Sequence, residues 1–178
     1  MIRVLTLILG FIFLVGCSSN HIDDYVGKTP ELKLEEFFQG ELKAHGVVLD
    51  RSGAFQRSFT VKLIGTWQQE NGQLKGKLDE WFVYDDGEKD TRTWLITKTA
   101  DGEYTGTAND VIGQANGQAR GNALYWRYDL EIQYKGDPLI VTLDDWMYLV
   151  DENRLINRTE IIKFGFKVGE VLLSIEKV

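Results

Sequence analysis

The chain has 178 residues, 43% of them hydrophobic and 26% charged, with 18 Gly and 2 Pro. That composition fits one globular domain and excludes disordered or collagen-like material. The net charge is −7 with no cluster of basic residues, so nothing supplies the patch that neutralises a phosphate backbone, and no nucleic-acid partner is expected.

The first residues read as an address. Arg3 gives one positive charge, an almost unbroken apolar run follows from Val4 to Val15, and Leu14-Val15-Gly16-Cys17 closes it. The run is shorter than the roughly 20 residues that span a bilayer as a helix, and it ends in a lipobox rather than a charged stop. Small Gly16 lets a peptidase reach the bond before Cys17, whose thiol takes a diacylglyceryl group. Cys17 is the only cysteine, so no internal disulfide can form, and lipidation accounts for a lone thiol in an exported chain. The competing reading is an ordinary secretory signal or uncleaved anchor in which Cys17 is incidental. Ser18 and Ser19 stand where an inner-membrane retention signal would place Asp, so the expected address is the periplasmic face of the outer membrane in the cell envelope, lipid-anchored.

Residues 1–16 are thus expected as a signal peptide and 17–33, polar and without apolar period, as a lipidated tether holding the domain off the membrane. From 34 to 178 turn signals recur every eight to fifteen residues, including Asp50-Arg51-Ser52-Gly53, Asn71-Gly72, Asp85-Asp86-Gly87, Asp101-Gly102, Gly121-Asn122 and Asp151-Glu152-Asn153. The runs between them are rich in Val, Ile, Thr and aromatics. Strands are predicted at 37–49, 54–68, 73–84, 91–99, 103–110, 112–120, 122–134, 138–149, 154–164 and 166–177. With no long helical period, the fold class is all-β: an antiparallel up-and-down barrel of about ten strands, lipocalin- or calycin-like.

Alternation assigns the faces. In the second strand Phe55, Arg57, Phe59, Val61, Leu63, Gly65 and Trp67 share one side, and in the third Leu74, Gly76, Leu78, Glu80, Phe82 and Tyr84 do. Arg57 and Glu80 are charged exceptions on apolar faces, costly if unpaired, so they are expected to meet each other or a ligand; a structural ion pair at the barrel mouth is the alternative. Further on, Gly113, Ala115, Gly117, Ala119, Gly121 and Ala123 share one face, opposite Gln114, Asn116, Gln118 and Arg120. A face with so little side-chain volume must receive something large: a bound acyl chain, or rings such as Trp94 and Trp126.

The segments Asp50-Arg51-Ser52-Gly53, Gly65-Thr66-Trp67, Phe82-Val83-Tyr84-Asp85-Asp86-Gly87, Gly121-Asn122-Ala123-Leu124-Tyr125-Trp126-Arg127-Tyr128, Asp144-Asp145-Trp146-Met147-Tyr148, Asn157-Arg158 and Lys163-Phe164-Gly165 occur in one order. Together they resemble a family of bacterial lipoproteins, domain of unknown function 3833, over nearly all of the mature chain. The resemblance implies a cell-envelope lipoprotein without an assigned activity, often encoded beside enzymes that modify fatty-acyl chains. Gly65-Thr66-Trp67 also resembles the Gly-x-Trp of lipocalins, an architectural analogy only.

Catalytic residues are not evident. His21 and His45 are the only histidines, and no nucleophile motif accompanies them. No His, Cys, Asp or Glu group has metal-ligand spacing, and no cofactor is expected. Asp144 and Asp145, adjacent on a strand, should point to opposite faces. The leading expectation is a barrel that binds a fatty-acyl or other amphipathic ligand, with Arg57, Glu80, Tyr84, Gly117, Trp126, Arg127 and Asp145 as candidate binding residues and the two arginines as head-group partners. The alternatives are an enzyme of lipid modification using Glu80 or Asp145 as acid or base, and a structural envelope scaffold.

Overall fold

A computed structural model describes residues 20–134 and 136–178. The expected signal segment and Cys17 lie outside the described residues. Ten strands follow in chain order: β1 (Gly40–Asp50), β2 (Phe55–Glu70), β3 (Gln73–Tyr84), β4 (Lys89–Ala100), β5 (Glu103–Thr107), β6 (Val111–Arg120), β7 (Ala123–Tyr134), β8 (Asp137–Asp151), β9 (Arg154–Lys163) and β10 (Phe166–Lys177). Each pairs antiparallel with its neighbour in sequence, and β10 returns to β1 from Leu42↔Lys177 to Asp50↔Gly169, closing the barrel. Closure leaves no strand edge open to pair with another chain. The ten strands and their order agree with the turn spacing.

Side chains alternate in and out along every strand. Phe59, Val61 and Leu63 of β2, Val141 and Leu143 of β8, and Leu155 of β9 are buried inside. The small-residue face of β6 is covered by a ring at Gly117, where a Cβ would lie 2.7 Å from Trp126, and on neighbouring β5 a Cβ at Gly106 would lie 3.2 Å from Trp94. Trp94 and Trp126 stack with centroids 6.2 Å apart. Of the two readings of this strand, aromatic filling is the one realised at Gly117. Gly113 stands at a register irregularity between Ile112 and Asn116 and is exposed.

One end of the barrel is plugged. A four-residue helix, α1 (Leu34–Phe37), and the following Phe38 bury Leu34, Phe37 and Phe38 across the opening. Glu35 on α1 bonds Lys98 Nζ and the Tyr104 hydroxyl, each at 2.7 Å, tying the plug to β4 and β5. Gly65-Thr66-Trp67 acquires a physical reason here. Trp67 Nε1 donates to the Phe38 carbonyl at 3.3 Å, and any Cβ at Gly65 would collide with that same carbonyl.

The described part of the expected tether is not free of the domain. A 3-10 turn at Ile22–Tyr25 buries Ile22 against Ala123 and Trp146 on the outer wall, while Leu32 is buried with the core. Two buried apolar residues leave no period in the sequence, yet with the Leu32 N–H donating to the Gly121 carbonyl they hold the segment to the barrel.

Gly65→Ala should force the plug away from the wall. We expect a loss of about 1–3 kcal/mol in denaturant unfolding, while the exposed Thr66→Ala stays within about 0.5 kcal/mol. Equal melts for the two variants would show that the plug does not depend on this contact.

Candidate functional site

A barrel of eight strands is just wide enough for side chains to fill, and ten make a wider bore. Here an internal cavity of about 300 Å³ remains between the plug and the opposite, open end. Its walls are mostly apolar: Phe59, Phe82, Trp94, Trp126, Leu130 and Ile161 are among them. Midway down the bore the alternation inserts a polar belt. Glu80 comes from β3, Arg92 from β4, Tyr128 from β7, Asp145 from β8, and Asn157 and Thr159 from β9.

The belt is unevenly satisfied. Arg92 spends its guanidinium on Asp110, with Nε at 2.9 and 3.1 Å and a terminal nitrogen at 2.6 Å from the carboxylate. Asp145 is buried and accepts from Asn157 Nδ2 and from Thr159 Oγ1 at 2.9 Å, with the Tyr128 hydroxyl at 3.5 Å. Glu80 stands opposite Arg92 in the β3–β4 ladder. Among the described residues no donor bonds to its carboxylate. Glu80 is half-buried and lines the cavity, which makes it the orphan acceptor of the site.

Desolvation dominates the electrostatics. Burial pushes the Glu80 carboxyl up to about 7, with Arg92 opposing the shift and Asp110 and Asp145 adding to it. Burial likewise raises Asp145 to about 6, held there against the bonds from Asn157, Thr159 and Tyr128. Burial works against the charge on Arg92, but Glu80, Tyr128 and Asp110 outweigh it and keep the guanidinium protonated.

The sequence-predicted residues divide. Glu80, Tyr84, Trp126 and Asp145 line the cavity. Arg57 does not meet Glu80: it sits at the open rim, its guanidinium 3.4 Å from the Tyr84 ring centroid and 2.8 Å from Glu88. Its register partner is Val48, while Glu80 pairs with Leu63, six residues further along β2, so the expected pair is out of reach. Gly117 lies beneath the Trp126 ring and does not line the cavity. Arg127 is exposed on the outer wall, paired with Asp144 at 2.8 Å, because residues adjacent to the inward Trp126 and Tyr128 must face out. Asp144 and Asp145 diverge as expected, Asp144 bonding Tyr125, Arg127 and Trp146 outside. Arg92, Asp110, Tyr128, Asn157 and Thr159 were missed. Alternation from Trp94 and Ile96 back to Arg92, and from Leu155 through Asn157 and Thr159 to Ile161, carried the signal for three of them.

His45 lines a shallow groove on the outer wall, and His21 is exposed beside Asp23. Among the described residues no cluster of three or more His, Cys, Asp or Glu side chains could hold a metal ion.

A carboxyl whose pKa is higher folded than unfolded binds more protons in the folded state. Its contribution to stability is present at low pH and is lost as pH rises from its ordinary value, 4.5 for Glu80, through about 7. Glu80→Gln should therefore match the wild type near pH 5 and become more stable than it by up to about 3 kcal/mol near pH 8. Denaturant melts at both pH values measure this; a variant less stable than wild type at pH 8 would contradict a desolvated Glu80.

Several solved structures share the fold, among them these two. The S-type phycobiliprotein lyase CPES from Guillardia theta superposes with a TM-score of 0.61 at 8% identity, covering 83% of this chain and 93% of that one. A protein of unknown function from the DUF3598 family of Nostoc punctiforme PCC 73102 gives 0.54 at 14% identity, covering 84% of this chain and 50% of that one. At these identities the likeness is one of fold. No curated protein matches the chain. The family model described as "Protein of unknown function (DUF3833)" matches residues 11–177, and over that span the chain belongs to the DUF3833 family.

Proposed function

We propose that this protein binds a small amphipathic molecule inside its barrel, with an acyl chain as the favoured apolar part, and that a lipid on Cys17 holds it at the periplasmic face of the outer membrane. The cavity carries this reading. It is about 300 Å³, apolar along its length, and crossed by a few convergent polar groups, which places it at the lower end of ligand pockets of roughly 300–1,000 Å³. The barrel shared with the phycobiliprotein lyase is compatible with this reading but supplies no ligand.

The anchor has a geometric consequence. Asn20 bonds the Tyr148 hydroxyl at 3.2 Å on the outer wall, near the plugged end. Two residues, Ser18 and Ser19, separate it from Cys17, and the three backbone steps between them reach about 10 Å at most. An acylated Cys17 would thus keep the barrel beside the bilayer rather than off it on a tether.

A neutral polarity-sensitive naphthalene dye should bind the protein and brighten. Ile161→Trp, which places a large ring in the cavity wall, should abolish that signal while the fold survives. Equal dye binding by the two proteins would remove the cavity from consideration. For the anchor, Cys17→Ser should abolish palmitate labelling and membrane association, and normal labelling of the variant would refute lipidation.

One observation favours a second reading, an enzyme of lipid modification. Carboxyls raised to about 7 and 6 share one enclosed bore, a pairing that proton transfer uses. Mass separates the two: a binding barrel releases an acyl compound unchanged, and an enzyme alters it.

A further inference from the structure

The proposed ligand site leaves the head group open, and the charge arrangement inside the bore narrows it. The reasoning rests on the cavity being a ligand site. Glu80 and Asp145 line the bore with the single guanidinium of Arg92, whose partner Asp110 lies outside that lining with a partly exposed side chain. Arg92 directs its bonds at Asp110, and Asp145 is satisfied by its own strand neighbours on β9. The bore therefore holds an excess of acceptor oxygens and of negative charge, concentrated on the one carboxylate, Glu80, that lines the cavity half-buried and unbonded among the described residues.

A carboxylate-headed fatty acid fits this poorly. Its head would add a further negative charge in a low-dielectric enclosure and bring no donor for Glu80. An alcohol brings one donor and no charge. A protonated amine brings three donors and the missing positive charge, so its bonds to Glu80 are charge-assisted. The closed end is blocked by Leu34 and Phe38, whereas Phe59, Phe82 and Ile161 line the way to the open rim. A tail attached at the belt can extend toward that rim.

We propose that the cavity takes an amphiphile with a protonated amine head, seated against Glu80 at mid-bore with Asp145 nearby, and an alkyl chain running to the open end. Arg57, one of the two arginines the sequence offers for the head group, sits at the rim, where its terminal nitrogen pairs with Glu88, its plane covers Tyr84 and its Nε has no partner among the described residues. It makes no claim on a head seated at mid-bore.

Displacement of the naphthalene dye from the full chain in lipid nanodiscs tests this, using decylamine, decanol and decanoate at about pH 8. Decylamine should displace the dye at a concentration about tenfold or more below that of decanoate, with decanol between them. Glu80→Gln should cut the preference for amine over decanoate to under about threefold, and Asp145→Asn should reduce it partly. Arg127→Ala, on the outer wall, should leave it intact. Decanoate binding as well as decylamine, or Glu80→Gln keeping the preference, overturns the head-group assignment while the ligand site stands. Failure of the dye and all three amphiphiles to bind overturns both.

Discussion

Ten strands enclose more space than their own side chains occupy, and most of the remaining structure manages that surplus. On one side Trp94 and Trp126 lie flat over Gly106 and Gly117, converting glycine backbone into seats for rings. At one end α1 and Phe38 act as a stopper, clamped by Glu35 to Lys98 and Tyr104 and admitted only because Gly65 has no side chain. These devices fill the barrel from the bottom and from one wall. What they leave is a cavity near the axis, open at the far end.

That cavity holds a destabilising choice. A leucine at position 80 would continue the apolar face of β3 at no electrostatic cost, since Leu78 and Phe82 flank it on the same face. A carboxylate there is desolvated without a bonding partner among the described residues, and its one cation, Arg92, is drawn off to Asp110. Sites where a sequence breaks the local rule without visible compensation are where function is expected. The ion pairs on the outer wall, such as Arg127–Asp144 and Arg158 with Glu160 and Glu170, carry no comparable tension because water shares their charge.

The fold was legible because its signals are local. Most hairpins announce themselves in a turn, as at Asn71-Gly72, where both residues take positive φ, and the strands in a two-residue period. Glu80 and Asp145 could be assigned to the interior by parity alone. Partnership could not, because it depends on register and height along the barrel: Arg57 and Glu80 face the same bore from neighbouring strands but at different levels. Arg92 shares the inward face of β4 with Trp94 and Ile96, so parity places it in the bore, whereas Arg127, adjacent to the inward Trp126, faces out by the same parity. The segment before α1 read as a tether because one buried isoleucine and one buried leucine leave no pattern.

Carbon-13 NMR titration of the Glu80 and Asp145 side-chain carboxyls addresses the central claim most directly, since it reads the proton on each group without passing through stability or affinity. Midpoints near 7 for Glu80 and 6 for Asp145 are expected, with the Glu80 midpoint falling when an alkylamine is added, because a cation favours the ionised form. Midpoints at the ordinary 4.5 and 3.8, unmoved by the amine, would mean that water reaches both carboxyls freely and that the bore contains no uncompensated charge for a ligand to meet.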